Sequence, residues 1–556
     1  MIVKNLLYCK KSFLLLLSLL FWGLQVTQSH VGSPGVVFEG TAGPYSLLVS
    51  VDPPDVIPGI AEISIYASDP RISNIQVKPI YWGVGDEGSP KSDPMDPVPG
   101  VPGQFEGIVW FMSTGTASIA VYVDGEKGSG EAIIPIMASA TAQKDMDASL
   151  GWTLAGLGLF LAILMVTIIS ASVGLGIVAP GEEAKNLKPK KQSGGMVATA
   201  LLILLIWGGK IWWDNESAAY KSFMYKPPQA HSWVEQENGN RIMTFQIDSI
   251  SIKNSNRLPM KYMVADHGKL MHMFIIKEGS LDVFAHLHPK RVDPLTFKVQ
   301  LPEIPEGRYY VFGDIVRRNG YTETISDTLD IPAHNAADTS TNDRRAWFDP
   351  DDTYIVSTAV DQKVDDNLPS DILICGKPGI ETPLLDGSTA VFEYQPNQSF
   401  IAGKVYPLTF AINDPEGNPA VLEPYMGMMG HAVVFRKEGG VYVHLHPVGN
   451  SSMASQHILE DRIAENSPSA RIAQEADVFY DSVNQVVAEL AMLTEEERTE
   501  ILMQGMEHTG LGEHEEHGST VTFPYAFPQE GNYRIWIQMK RNGKVLNSSF
   551  DAKVTL

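Results

Sequence analysis

The chain has 556 residues, 44% of them hydrophobic, with 65 acidic and 42 basic side chains and a formal net charge of −23. That length allows several buried cores, and so acidic a chain is a poor partner for nucleic acid. Only two cysteines occur, so the cores must hold without a framework of disulfides.

At the N-terminus Lys4, Lys10 and Lys11 precede the apolar run FLLLLSLLFW, and a polar stretch follows with Thr27 and Ser29. Charged, apolar and small-residue regions in that order are the pattern of a cleaved export signal over 1–29. Cleavage would remove Cys9 and three lysines, leaving Cys375 and a charge of −26. The remaining thiol reads as a buried, inert side chain, with a soft metal ligand as the alternative. A cut after Ser29 would make His30 the first residue, and its amine and ring together chelate Cu(II).

Residues 30–145 alternate short β-rich runs (YSLLVSV, AEISIYA, SIAVYVDG, EAIIPI) with Pro and Gly punctuation, which predicts a β-sandwich. Two apolar runs follow within 150–213, Leu150 to Val178 and Met196 to Trp213, the first long enough alone to cross a bilayer. Between them the loop 179–195 carries Lys185, Lys188, Lys190 and Lys191. Lysines in a short loop mark the cytoplasmic side, so the hairpin would leave both large flanking regions outside.

Two further β-modules are expected, at 231–333 and 353–556, joined by a polar linker. They read as copies. PEGRYYVFGDIVRRNG (Pro305 to Gly320) parallels PQEGNYRIWIQMKRNG (Pro528 to Gly543), each closing on Asn-Gly, a strong hairpin signal. The third module carries a helical insertion at 457–510. Ser467-Pro468 would start one helix, and Thr494 with Glu497 would cap another. An apolar face would run from Ile472 through Val478, Phe479, Val483, Val486, Val487 and Leu490, as a lid or a partner surface. The stretch after it carries His508, His514 and His517 and reads as a solvated acidic loop or a metal-collecting one. His334 reads as solvated.

The chemistry lies in a stretch used twice: HGKLMH with FAHLHP (His267 to Pro289), and MGMMGH with VYVHLHP (Met426 to Pro447). Folded about a turn near Gly279, His272 falls opposite 286–287; about Gly439, His431 falls opposite 445–447. Residues two apart share a strand face, so His286 pairs with His288, and His444 with His446. Three imidazoles would then converge in each module. In module two His267 would complete or gate the shell; in module three Met426 stands in its place, with Met428 and Met429 nearby. Histidine with thioether suits copper, Met favouring Cu(I), while zinc tolerates the imidazoles. Structural histidines that hold the strand ends are the alternative. Parity places the histidines opposite the apolar face of Val283, Ala285 and Leu287, and likewise opposite Val441, Val443 and Leu445.

The segments HVGSPGVVFEGTAGPYSLLVSVDPPDVIPGIAEISI, DHGKLMHMFIIKEGSLDVFAHLHP and EPYMGMMGHAVVFRKEGGVYVHLHPVGNSSMASQ, with the two-span hairpin, resemble a group of bacterial membrane-anchored periplasmic proteins. Their modules are similar to YtkA-like and CopC-like β-sandwiches, which are linked with copper handling. The resemblance implies an Ig-like sandwich fold and copper association. With the lysine loop and the export signal, the reading is of Ig-like or cupredoxin-like modules on an inner-membrane anchor, both large regions in the periplasm, and of a copper carrier or buffer that exchanges its ion with another metal-handling protein. CopC-type carriers pair a mature N-terminal histidine with a later one in the same sandwich. Here His30 fits the first role, and module one offers no second. Two other classes stay open: an interaction or assembly β-protein with structural histidines, and a copper or zinc enzyme with a three-histidine centre.

Overall fold

The computed structural model describes residues 30–31, 35–69, 71–175, 179, 181, 187–237, 239–253, 257–333, 346–360, 372–395, 399–465, 475–504 and 518–556. The expected signal 1–29, His334, residues 467–472 and His508, His514 and His517 lie outside them, and of His30 only the backbone is described. The chain divides into two compact units. One holds Met1–Pro53, Ile60–Ala138 and Pro227–Leu556, the other Pro54–Gly59 and Ser139–Lys226.

The smaller unit is built on two helices, α1 (Ala148–Leu175) and α2 (Leu187–Phe223), both long and apolar enough to cross a membrane. They meet where side chains are small. Ser170 Oγ donates to the Lys191 carbonyl at 2.6 Å, and Gly195 lies against Ser170. Helix α2 extends past the expected span on both sides. Its polar end beyond Trp213 stays helical, with an i,i+4 pair between Lys210 and Asp214 at 2.5 Å.

The larger unit is mainly β. Residues 36–138 supply a five-stranded and a four-stranded sheet, with no helix between them among the described residues. Further on, two six-stranded sheets carry the histidine stretches, each accompanied by a four-stranded sheet. The first six-stranded sheet contains β1 (His272–Lys277), β2 (Val283–Leu287), β3 (Gly307–Arg317) and β4 (Thr353–Val356), in the order β3-β1-β2-β4. The second contains β5 (His431–Arg436), β6 (Val441–Leu445), β7 (Gly531–Arg541) and β8 (Lys544–Thr555), in the order β6-β5-β7-β8.

The two sheets repeat each other in detail. In each, the histidine hairpin pairs antiparallel with the long strand of the Arg-Asn-Gly copy, His272 opposite Asp314 and His431 opposite Gln538. Tyr309 and Tyr533 both donate from the hydroxyl to the carbonyl four residues back, at 2.6 and 2.8 Å. Two strands fall outside the boundaries read from sequence. β4 begins at residue 353 yet pairs with β2, and His30–Val31 pairs in parallel with β6 rather than with the sheets of 36–138.

Strand alternation explains where the cores lie. One face of each histidine hairpin packs into its own core: Met273, Ile275, Val283, Ala285 and Leu287 in the first, Ala432, Val434, Val441, Val443 and Leu445 in the second. The opposite faces do not meet water. Phe274, Ile276, Phe284 and Phe312 of the first sheet pack on Val433, Phe435, Tyr442 and Trp536 of the second. Trp536 stacks on Phe284 with centroids 5.0 Å apart, and Phe312 on Tyr442 at 4.0 Å. The histidines lie on these same faces, at the end of this aromatic seam.

Among the described residues three helices follow β6. α3 (Met453–Ala464) is capped by Ser452, whose side chain accepts from Ser455 N at 3.2 Å. Leu459 of α3 packs with Ile80, Ala120 and Ile133, and Arg462 Nε donates to the Trp82 carbonyl at 2.9 Å, which ties residues 36–138 to the rest. α4 (Ala476–Met492) lays Val483 and Val487 on the core under β1 and β2 and buries Phe479, while Val478 and Val486 stay exposed. α5 (Glu495–Gln504) starts with the expected reciprocal cap. Thr494 N donates to Glu497 Oε2 at 2.9 Å, and Glu497 N to Thr494 Oγ1 at 3.3 Å.

Candidate metal centre

Each histidine stretch opens with the same tight turn. Asp266 and Lys269 exchange backbone hydrogen bonds of 2.8 and 2.9 Å, and Tyr425 and Met428 do so at 2.6 and 3.2 Å. Two residues with positive φ sit at the centre of each: His267 at 51° with Gly268 at 78°, and Met426 at 52° with Gly427 at 79°. Turns that fit a hairpin need this mirror-image backbone, and a non-glycine residue there is uncommon. At position 267 the result is an imidazole aimed into the seam.

The registers of β1 with β2 and of β5 with β6 carry the remaining rings in. Phe274 stands opposite His286, which sets His272 level with His288; Val433 stands opposite His444, which sets His431 level with His446. Because the two sheets face each other, the rings of His267, His272, His286, His288, His431, His444 and His446 form a single cluster. Neighbouring centroids are 4.4–6.1 Å apart.

Within the cluster two sets of three could each hold one ion, His272 with His286 and His288, and His267 with His431 and His446. In each set the ligand atoms lie within 4.8 Å of one another. Thus His267, read from sequence as part of the first set, stands with the second. His444 falls in neither three-residue group.

Hydrogen bonds fix which nitrogen is free in several of the rings. His272 Nε2 lies 3.1 Å from the Asp266 carbonyl, which can only accept, so Nε2 carries the proton and Nδ1 a lone pair. His286 Nδ1 lies 2.8 Å from Gln538 Oε1. The orientation of that amide follows from its neighbours. Asn547 Nδ2 donates to the Tyr354 carbonyl at 3.3 Å and to Thr353 Oγ1 at 2.6 Å, leaving Asn547 Oδ1 to accept from Gln538 Nε2 at 3.1 Å. His286 Nδ1 is therefore a donor and Nε2 a lone pair. Yet His272 Nδ1 and His286 Nε2 are only 3.1 Å apart. Two lone pairs at that distance repel, and a proton or a metal ion between them relieves the repulsion.

The third ring completes the set. His288 Nδ1 donates to Asp352 Oδ1 at 3.0 Å, and its buried Nε2 makes no hydrogen bond. In the second set His446 Nδ1 donates to the Ser451 carbonyl at 3.0 Å and leaves Nε2 unpartnered. His267 bonds the Met426 backbone and leaves Nε2 unpartnered; both ring nitrogens of His431 are buried without a partner. Buried polar atoms are nearly always hydrogen-bonded, so this concentration of orphaned nitrogens makes the seam a candidate ligand site.

Burial favours the neutral form of six of the rings, the form that metal ligation requires. Burial holds His272, His286, His431 and His444 well below the usual imidazole range, and brings His446 down to about 4. His267 is lowered by burial too. Carboxylates flank the cluster, although the sequence suggested an imidazole and thioether site without them. Asp266 accepts from Ala454 N at 3.0 Å at the start of α3. Asp314 is pushed up to about 6 by burial, accepts from Thr324 Oγ1 at 2.6 Å and Tyr442 at 3.0 Å, and lies 3.6 Å from His444 Nδ1.

His288, Asp349 and Asp352 form a third possible group. Its acids are already engaged, Asp349 with Lys269 at 2.6 Å and Asp352 with His288. That group reads as support for the His288 ring, the usual carboxylate–histidine arrangement behind a metal.

The methionines divide differently. Met428 packs with Val448 and Met453, and Met429 lies against the core under β5 and β6. Met426 is buried and offers His267 its backbone. Cys375 is far from reactive, its thiol pushed up to about 12 by burial. Sequence reasoning missed Asp266, Asp314, Asp352, Gln538 and His457, the last of which has an unpartnered buried Nε2 and acts electrostatically on His267. Asp314 and Gln538 hold equivalent places in the two Arg-Asn-Gly copies, and that alignment was the signal available.

A family model described as a domain of unknown function (DUF8832) matches residues 386–469 and 496–555. The gap in the match spans all of α4. No curated protein matches the chain. Among solved structures it is similar to dimeric latent PorU from Porphyromonas gingivalis, at 8% identity and a TM-score of 0.13, over 94% of this chain and 34% of that one. A putative membrane anchored protein from Corynebacterium diphtheriae gives 8% identity and a TM-score of 0.12, over 94% and 96%. The ICAM-5 D1–D4 ectodomain fragment gives 7% and 0.14, over 92% and 77%. The chain spans about a third of PorU, and TM-scores this low carry no argument about fold or function.

Proposed function

We propose that this chain is a membrane-anchored, extracytoplasmic copper-binding protein built from three Ig-like β-sandwich modules. The second and third would be sister domains packed face to face around the histidines. Helices α1 and α2 would form the anchor, and the lysines between them would keep that loop in the cytoplasm. The observation that carries the reading is the 3.1 Å separation of His272 Nδ1 and His286 Nε2, each with its other nitrogen engaged by an acceptor. Two ligands of a tetrahedral ion at about 2.0 Å stand roughly 3.3 Å apart.

An all-imidazole donor set suits copper and zinc better than magnesium, calcium or manganese. Copper stands first in that preference among divalent ions, and the resemblance to copper-handling sandwiches points the same way. A buried site of this kind fits a carrier or buffer that exchanges its ion with another metal-handling protein of the same compartment. Titration of the detergent-solubilised full-length protein with copper, against a chelator of known affinity, tests the reading. The wild type binds copper, and His286→Gln weakens binding at least tenfold. A wild-type chain that takes up neither copper nor zinc refutes it.

A further inference from the structure

The proposed copper site treats each trio of histidines as able to hold an ion. The two trios are also close to each other. His272 of the first lies 6.0 Å, centroid to centroid, from His267 of the second, and His286 lies 6.1 Å from His431. No apolar layer separates them. The seventh ring, His444, is in neither trio but touches both: His272 at 5.6 Å and His286 at 5.9 Å on one side, His431 at 5.5 Å and His446 at 4.4 Å on the other. Its side chain is buried, and its Nε2 has no hydrogen-bond partner.

The supporting groups also cross the seam. Gln538 of the third module holds His286 of the second, while Asp314 of the second stands 3.6 Å from His444 of the third. These two residues occupy equivalent positions, opposite His431 and His272. Neither module therefore completes its own site. The buried carboxylates Asp266 and Asp314 supply negative charge beside the rings, which one ion held by neutral imidazoles would need less than a pair.

We propose that the seven histidines bind two copper ions as one coupled centre that spans the two modules, with His444 between the ions. Resting on the copper reading above, this inference adds the number of ions and their interaction. Two Cu(II) ions joined through a shared ligand cancel each other's electron spin, whereas isolated ions each give a full paramagnetic signal. The ligand that joins them would be an oxygen anion such as hydroxide, fitting the open position that three imidazoles leave on each ion.

The test uses the full-length protein in detergent, stripped with a chelator and reloaded with Cu(II) alone. Total copper and electron paramagnetic resonance spin count are measured on the same sample. The expected result is two copper ions per chain with nearly all spin intensity lost. His431→Ala, altering the second trio only, should drop the content to one ion per chain and restore full intensity. His446→Gln serves the same purpose should the alanine variant fail to fold. Two ions with a spin count equal to the copper count, or saturation at one ion in the wild type, overturns the coupled centre and leaves the copper reading standing. Absence of any bound copper overturns both.

Discussion

The metal-free protein should lose stability steeply in mild acid, and the histidine cluster sets the size of the loss. An imidazole whose proton affinity is depressed in the folded chain binds its proton mainly in the unfolded one. Acid therefore favours unfolding, from the ordinary value of about 6.5 down to the folded value. For His446, held at about 4, the loss between pH 8 and pH 5 is about 2 kcal/mol. His272, His286, His431 and His444 are held well below 6.5 by the same burial, and each acts in the same direction.

Asp314 works in the opposite sense. Raised to about 6, it takes up a proton in the folded chain first and returns about 1.4 kcal/mol at pH 5. Asp352, also raised by burial, acts in the same direction. The histidine losses outweigh these returns, so net stability falls toward pH 5, against a typical domain stability of about 5–15 kcal/mol. Urea unfolding of chelator-stripped protein, followed by tryptophan fluorescence at steps from pH 8 to pH 5, reads it out. Stability should be level above about pH 7 and fall ever more steeply below 6.5, and bound copper should delay the fall. A midpoint that does not move between pH 7.5 and 5 would refute the neutral, buried cluster.

Three further outcomes follow from the same geometry. Asp352→Ala removes the acceptor that orients His288 and should weaken copper binding by about 10–100-fold, as loss of such supporting groups does elsewhere; a competition titration measures it. Trp536→Ala empties the centre of the aromatic seam, where the ring is fully buried on Phe284. It should cost about 3–5 kcal/mol in urea unfolding and loosen copper even though residue 536 is not a ligand. A cysteine placed at Lys188 should react with a membrane-impermeant thiol reagent only after the membrane is opened, if the lysine-rich loop faces the cytoplasm. Labelling in intact cells would reverse the orientation.

Much of this arrangement was legible in the strands themselves. Period-two alternation assigned His286 and His288 to one face and Val283, Ala285 and Leu287 to the other, and the structure has them so. Register followed from the turns: His431 stands level with His446, within the range expected, and His272 with His288, one residue beyond it. The Thr494–Glu497 cap was likewise readable, because capping depends on residues three apart.

What escaped was everything that depends on two distant segments meeting. Strand parity shows that the histidine face is not the core of its own sheet, but not that a second sheet covers it. The aromatics on the two histidine faces carried the hint, Phe274, Phe284 and Phe312 on one and Tyr442 and Trp536 on the other, since large rings grouped on a surface seldom stay in water. Likewise His267 could not be assigned to the second trio. Its place there rests on the left-handed turn at 267 and on contact across the seam. The methionines misled because local spacing puts Met428 near His431, while packing turns it toward Val448 and Met453.

The most direct measurement is an anomalous-scattering map from crystals of the full-length protein soaked in copper. Density is expected at bonding distance, about 2.0 Å, from His272 Nδ1, His286 Nε2 and His288 Nε2, with a second peak among His267, His431 and His446. A map with copper only on exposed carboxylates, and nothing between these rings, would contradict it.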